Sequence, residues 1–249
     1  MTPSPRHAPT VHSGLMWFRR DLRAHDNAAL FRALKNCAQV HAVFVFDRAI
    51  LDALPRADRR VEFIRESLVA LDAELRALAG HPDAGLIVRH AVAHDEIPHL
   101  AQQLGVQEVF CNHDDEPAAL ARDAQVRGEL ANRGIGFQTC KDHVIFERSE
   151  ILTQAGKPYG VFTPYKNAWL KKVDAFYLSS YPVGKYVRAL APRPSAWRQP
   201  VPTLADLGFE TTNLASLHVP TGSPGGVALF EDFFQRMDRY DTAREFPAI

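Results

Sequence analysis

Between residues 14 and 140, short apolar runs of strand length alternate with longer stretches whose apolar residues recur at helical spacing. No other feature narrows the fold as far. GLMWFRR (14–20) is apolar and then charged, and NAALFRALKN (27–36) sets Leu30, Phe31 and Leu34 on one helical face, with Asp26 or Asn27 as the N-cap. VHAVFVFD (40–47) is almost continuously apolar, as strands covered on both faces are. From Arg59 to Ala79, Val61, Ile64, Leu68, Leu71, Leu75 and Leu78 mark a crossover helix. The alternation continues with GLIVRH (85–90), EIPHLAQQLG (96–105), VQEVFCN (106–112), PAALARDAQVRGELANRG (117–134) and GFQTC (136–140). Five strands interleaved with four helices predict an α/β fold over residues 14–145, a three-layer, doubly wound, five-stranded parallel sheet of Rossmann-like type.

The flanking segments read differently. Residues 1–13 have no apolar core, which excludes a signal peptide and predicts a disordered lead-in. Residues 180–226 carry Pro182, Pro192, Pro194, Pro200, Pro202, Pro220 and Pro224, so 146–225 is expected to be one helix followed by an irregular connector. GVALFEDFFQRMDRY (226–240) places Leu229, Phe233 and Met237 on one helical face with Phe230 and Phe234 beside them, a surface that needs a partner. Residues 226–249 are expected to open a further helical domain that is cut short.

Composition removes several classes of function. No apolar run approaches the ~20 residues of a membrane span. Cys37, Cys111 and Cys140 are odd in number and widely spaced, unlike a disulfide framework or a metal site, and fit a reducing cytoplasm. With 29 basic and 29 acidic residues, the chain as a whole is no polyanion binder. One stretch departs from that balance: Lys157, Lys166, Lys171, Lys172, Lys185, Arg188, Arg193 and Arg198 meet a single acid, Asp174.

Three stretches carry chemistry. The turn after the first strand has no glycine between Arg19 and Asn27, which disfavours a dinucleotide fingerprint, and no P-loop occurs. Arg19, Arg20 and Arg23 either face a ligand or form a solvated strand end paired with Asp21 and Asp26. NHDDEP (112–117) brings Asn112, Asp114, Asp115 and Glu116 to the same carboxyl edge, where Asp47 joins them. Carboxylates there could accept a ring N–H or a hydroxyl; the competing reading is helix capping ahead of Pro117. In GKPYGVFTPYKNAWLKK (156–172), Lys166, Lys171 and Lys172 suit nucleic-acid phosphates, or form a solvated helix face.

With WFRRDLRAHDN, NHDDEP and VFTPYKNAW in this order, the chain resembles the amino-terminal part of a DNA photolyase of the photolyase/cryptochrome family, from about Gly14 onward. The resemblance implies a light-driven lyase in which reduced FAD passes an electron to a cyclobutane pyrimidine dimer flipped out of DNA. The α/β domain would bind the antenna pigment. The matching antenna positions are Phe44, Asp47, Arg60, Asp114 and Glu116, with Arg19 close by. Ala118 and Ala119 stand where folate-binding relatives place an Asn-Glu pair, which favours 8-hydroxydeazaflavin over methenyltetrahydrofolate. Tyr240 matches a tyrosine that contacts the FAD phosphates, but the T-S-x-L-S segment expected after it is absent. The resemblance therefore implies a fragment inactive alone, with no catalytic residue and no metal of its own. Its intact form would be a monomer acting on dimer-containing DNA, and the fragment would self-associate through its last helix. A cryptochrome-type blue-light sensor and a free-standing nucleotide-binding module are the alternatives.

Overall fold

The computed structural model describes residues 9–244. Five parallel strands pair in the order β3-β2-β1-β4-β5. They are β1 (Val11–Phe18), β2 (Cys37–Asp47), β3 (Leu86–Ala91), β4 (Glu108–Asn112) and β5 (Gly136–Cys140). The connecting helices are α1 (Ala28–Asn36), the single turn α2 (Arg48–Leu51), α3 (Arg59–Ala79), α4 (Ala93–Gln103) and α5 (Pro117–Asn132).

The side-chain period of two along each strand builds the layers. Met16, Phe18, Phe44 and Phe110 share one core with Leu30 and Ala33 of α1 and Leu68, Leu71 and Leu75 of α3. Leu15, Trp17, Val43 and Val109 share the other with Ile97 and Leu100 of α4 and Val126 and Leu130 of α5. The predicted three-layer doubly wound sheet is therefore present. Its winding reverses between β1 and β4, and connections leaving these strands in opposite directions open a crevice at their carboxyl ends.

Several boundaries differ from the sequence reading. β1 starts at Val11, paired with Cys37, so residues 11–13 are strand and not lead-in. Here the side chain of Gln107 accepts from His12 N at 2.8 Å and Ser13 N at 3.3 Å. Residues 1–8 of that lead-in lie outside the described residues. α4 begins at Ala93 and not at 96, because its cap arrives from another strand: Asp47 Oδ1 accepts from Ala93 N at 3.2 Å and from Ala49 N at 3.1 Å. Asn27 is the N-cap of α1, accepting from Leu30 N at 3.0 Å.

Helix α6 (Phe162–Lys172) follows the sheet, and then comes the proline-rich connector, irregular as predicted but closely packed. Val183, Leu190, Val201, Leu207 and Phe209 are buried in the core shared with α1 and α3. Ala191 N donates to Val40 O at 2.9 Å, and buried Arg193 donates to the carbonyls of Asp83, Leu86 and Gln199.

The last long helix, α7, spans Gly222–Phe234 and not 226–240; a turn at Met237–Arg239 and the short α8 (Tyr240–Ala243) follow. Its start is built on glycine: Gly222 has φ +69°, and a Cβ on Gly225 would lie 2.6 Å from the carbonyl carbon of Pro220. Low helix propensity hides such a start from a periodicity reading. Residues 245–249, the end of the segment expected to open a helical domain, lie outside the described residues. Among the described residues no helix is long and apolar enough to cross a membrane.

Candidate ligand site at the carboxyl edge of the sheet

The crevice at the β1/β4 reversal is an open hollow of about 960 Å³. Arg20, Arg23 and Asp26 line it from the β1–α1 loop, Asp114, Asp115, Glu116 and Pro117 from the loop after β4, and Asp142 and His143 from beyond β5. Three of the chemistry-bearing positions singled out from NHDDEP thus meet two of the three arginines.

The rim stands on a buried polar network. Asn112, last residue of β4, donates to Asp21 Oδ2 at 2.5 Å and to Asn27 Oδ1 at 3.0 Å, and its Oδ1 accepts from Ala29 N at 2.9 Å. Asn27 in turn donates to Asp21 Oδ2 at 3.0 Å, and Asp21 Oδ1 accepts from Arg19 N at 3.0 Å. One network caps α1, ends β4 and fixes the β1–α1 loop. Each buried amide finds a partner, so none contributes a desolvation penalty.

The arginines do not pair with Asp21 and Asp26 as one reading of the sequence had it. Arg19 turns under the sheet edge: its Nη1 lies 2.7 Å from Asp123 Oδ1, its Nη2 donates to the carbonyl of Asn112, and its side chain is only 7% exposed. The guanidiniums of Arg19 and Arg122 sit 4.9 Å and 5.0 Å from the ring centre of Trp17, and Arg122 reaches Asp123 at 3.0 Å. Arg23 bonds the carbonyl of Asp26 and, at 2.8 Å, the buried Asp142, whose Oδ1 accepts from Ala28 N. Asp26 holds the left-handed region at φ +43°, and its Oδ1 accepts from Tyr181 N at 2.8 Å, tying the loop to the connector.

Arg20 remains at the surface. Its Nη1 lies 2.7 Å from Glu116 Oε1 and 3.4 Å from Asp114 Oδ1. The hydrogen bond to Glu116, and then the charge of Asp114, raise its pKa above the ordinary arginine value. Behind them, His113 bridges the Glu147 carboxylate, 2.8 Å from Nδ1, and Thr139 Oγ1, 2.9 Å from Nε2.

Of the six predicted antenna positions, Asp114 and Glu116 line the hollow. Arg19 lies behind it, Phe44 is in the core, and Asp47 is a helix cap; both of the latter are buried. Arg60 lies apart, in a separate hollow with Asp58, Arg59, Thr212 and Asn213, and bonds Asp58 at 2.6 Å. Of the predicted phosphate contacts, Lys172 donates to the carbonyl of Glu150 at 2.6 Å and stands over the Phe146 ring; Lys166 and Lys171 are exposed and have no partner among the described residues. Arg193, counted in the basic stretch, is buried, and Arg198 pairs with Asp83 at 2.8 Å. Tyr240 is exposed and meets Phe233 edge to face at 5.8 Å.

The sequence reading missed Asp123, Asp142 and the role of Arg20. A signal existed for the first: Ala119, Asp123, Val126 and Leu130 form the buried stripe of α5, and an acid on such a stripe needs a buried cation.

A doubly wound parallel sheet with a carboxylate-lined crevice at its winding reversal defines the class, a Rossmann-like three-layer α/β domain. The family model for DNA photolyase matches residues 14–185, and the chain belongs to that family. It is 30% identical over 244 residues to the deoxyribodipyrimidine photo-lyase of Synechococcus sp., covering 94% of this chain and 48% of that protein. It is also 25% identical to mouse cryptochrome-1, over 88% of this chain and 36% of that protein. Among solved structures, a class III photolyase from Agrobacterium tumefaciens superposes with a TM-score of 0.78 at 24% identity, over 99% of this chain and 49% of its own, which supports the fold. The chain spans about half the length of these photo-lyase relatives.

Proposed function

We propose that this chain supplies the antenna-pigment domain of a light-dependent DNA repair enzyme, a deoxyribodipyrimidine photo-lyase acting on cyclobutane pyrimidine dimers. One observation carries the reading: the switch-point hollow joins Asp114 and Glu116, two of the positions that match the antenna site, and is large enough for a fused-ring pigment. In such an enzyme FAD, excited directly or through the antenna, supplies the electron that splits the dimer.

This chain's own residues bind and orient. Asp114 and Glu116 offer acceptors to a ring N–H, and Asn112, Asp21 and Asn27 hold their loop against the sheet. Donors fit such a lining better than phosphates do, in keeping with a deazaflavin antenna; Ala118 and Ala119 provide no amide or carboxyl for a folate. Phe44, in the core, and Asp47, a helix cap, lie outside the lining of the hollow, and their antenna roles rest on the resemblance alone. Arg60, outside the hollow, and Tyr240, toward FAD, remain assignments of the resemblance. Lys166 and Lys171, exposed and without a partner among the described residues, are the proposed contacts to DNA phosphates. Dimer repair is proposed for a protein of the full length of the photo-lyase relatives, working as a monomer in the cytoplasm, and self-association of this chain is proposed to run through the apolar face of α7.

The test is an absorption and fluorescence titration of the purified chain with 8-hydroxydeazaflavin, methenyltetrahydrofolate and FAD. Uptake of the deazaflavin, lost in Asp114→Ala, is expected; preferential uptake of the folate, or none, defeats the antenna assignment. A role as a light sensor, which the similarity to cryptochrome-1 keeps in view, predicts no photorepair of dimer-containing DNA by the full-length protein.

A further inference from the structure

Each carboxylate of the switch-point hollow already has at least one partner. Asp114 is deeply set, its side chain 10% exposed. Its Oδ1 accepts from Glu116 N at 3.2 Å and faces Arg20 Nη1 at 3.4 Å, while its Oδ2 accepts nothing among the described residues. Arg20 also holds Glu116 at 2.7 Å, and its own side chain is 56% exposed, so the guanidinium can swing into water; Glu116 is then left hydrated, while the deeply set Asp114 is left needing another donor. Arg23 has no such freedom, because Asp142 and the carbonyl of Asp26 hold it.

We infer that Arg20 is a displaceable cover on this site and that Asp114 is its anchoring acceptor, so that the hollow selects ligands by a ring N–H donor and discriminates against phosphate. In the ligand-free protein Arg20 pairs with both carboxylates and offsets one of their two charges. A ligand whose N–H reaches the free oxygen of Asp114 takes over part of that role, and the arginine turns outward. Phosphate finds the wrong sign: five carboxylates line the hollow against two arginines, and both arginines are already paired with carboxylates. The cover is weak on its Glu116 side, where both partners are exposed and an exposed ion pair contributes little, and long, at 3.4 Å, on its Asp114 side.

The inference rests on the antenna reading, and the experiment separates the two. Dissociation constants for 8-hydroxydeazaflavin are measured on the full chain as wild type, Arg20→Met and Asp114→Asn, with melting temperatures as the control for folding. The methionine variant is expected to bind up to about fivefold more tightly, because the competing pair is gone. The asparagine variant is expected to bind at least about tenfold more weakly, having lost a charged acceptor. Inorganic phosphate at constant ionic strength should leave the wild-type value unchanged. Weaker binding by Arg20→Met would make Arg20 a ligand contact and overturn the cover, as would unchanged binding by Asp114→Asn or competition by phosphate. If neither wild type nor Arg20→Met takes up the pigment, the antenna reading itself fails and the cover falls with it.

Discussion

At the scale of single residues, the contrast between Arg19 and Arg20 shows how burial sets the value of a charge. The Arg19–Asp123 pair is nearly dry, with side-chain exposures of 7% and 12%, so removing one partner strands the other. Asp123→Ala should cost about 3–5 kcal/mol of stability in urea unfolding. Arg20→Met should change stability by no more than about 1 kcal/mol; equal losses in the two variants would contradict this account of burial. His41 provides a pH dependence. Its Nδ1 is buried with no hydrogen-bond partner among the described residues, and burial lowers its pKa. The unfolded chain takes up a proton near the ordinary value of about 6.5, the folded chain only below it. Stability is therefore complete above that pH and falls as pH drops through the window beneath it. Urea midpoints measured on either side of the window should show a smaller fall in His41→Leu; an equal fall assigns the titration to other groups. The thiols of Cys37 and Cys111 are raised to about 12, by burial first, and Cys140 is buried too. All three should resist an aromatic disulfide reagent near neutral pH until the protein is unfolded, and fast modification of the native chain would show otherwise.

At the scale of elements, the connector is the part whose role depends most on contacts distant in sequence. Composition made it irregular, and it is irregular, yet it lies in the main core through Leu190, Val201 and Phe209 and is fixed by Arg193 on three carbonyls. Arg193→Ala leaves those carbonyls short of a donor, a loss of about 1–3 kcal/mol for each group left unsatisfied in the interior. Hydrogen exchange should then accelerate at Ala191, whose N–H bonds Val40 O, before the central strands β1 and β2 respond. Exchange that rises uniformly over the whole sheet would mean that the connector and the sheet unfold as one unit.

At the scale of the molecule, apolar surface is unevenly distributed. Val227, Leu229, Phe230 and Phe234 are all exposed on α7, as are Phe162 and Leu170 on α6. On α7 the exposed rings of Phe230 and Phe234 also meet at 6.0 Å, and exposed apolar surface of this kind drives association. Light scattering of the 249-residue chain should show concentration-dependent dimers or larger species, reduced in Phe230→Asp/Phe234→Asp. A clean monomer at high concentration would remove the proposed self-association.

The sequence by itself determined the order of strands and helices and the layers they form. These depend on side-chain periods and lengths that operate locally, as in the buried run of β2 and the apolar stripe of α3. It also determined that acids and arginines would meet at one edge, because parallel strands deliver their carboxyl ends together. Only the tertiary structure decided which acid meets which arginine. Asp123 lies 104 residues from Arg19, and Asp142 lies 119 from Arg23. Asp47 was read as a ligand position, and its Oδ1 caps α4 across 46 residues of chain. Such pairings follow from packing and burial, which fix distances that no local period encodes.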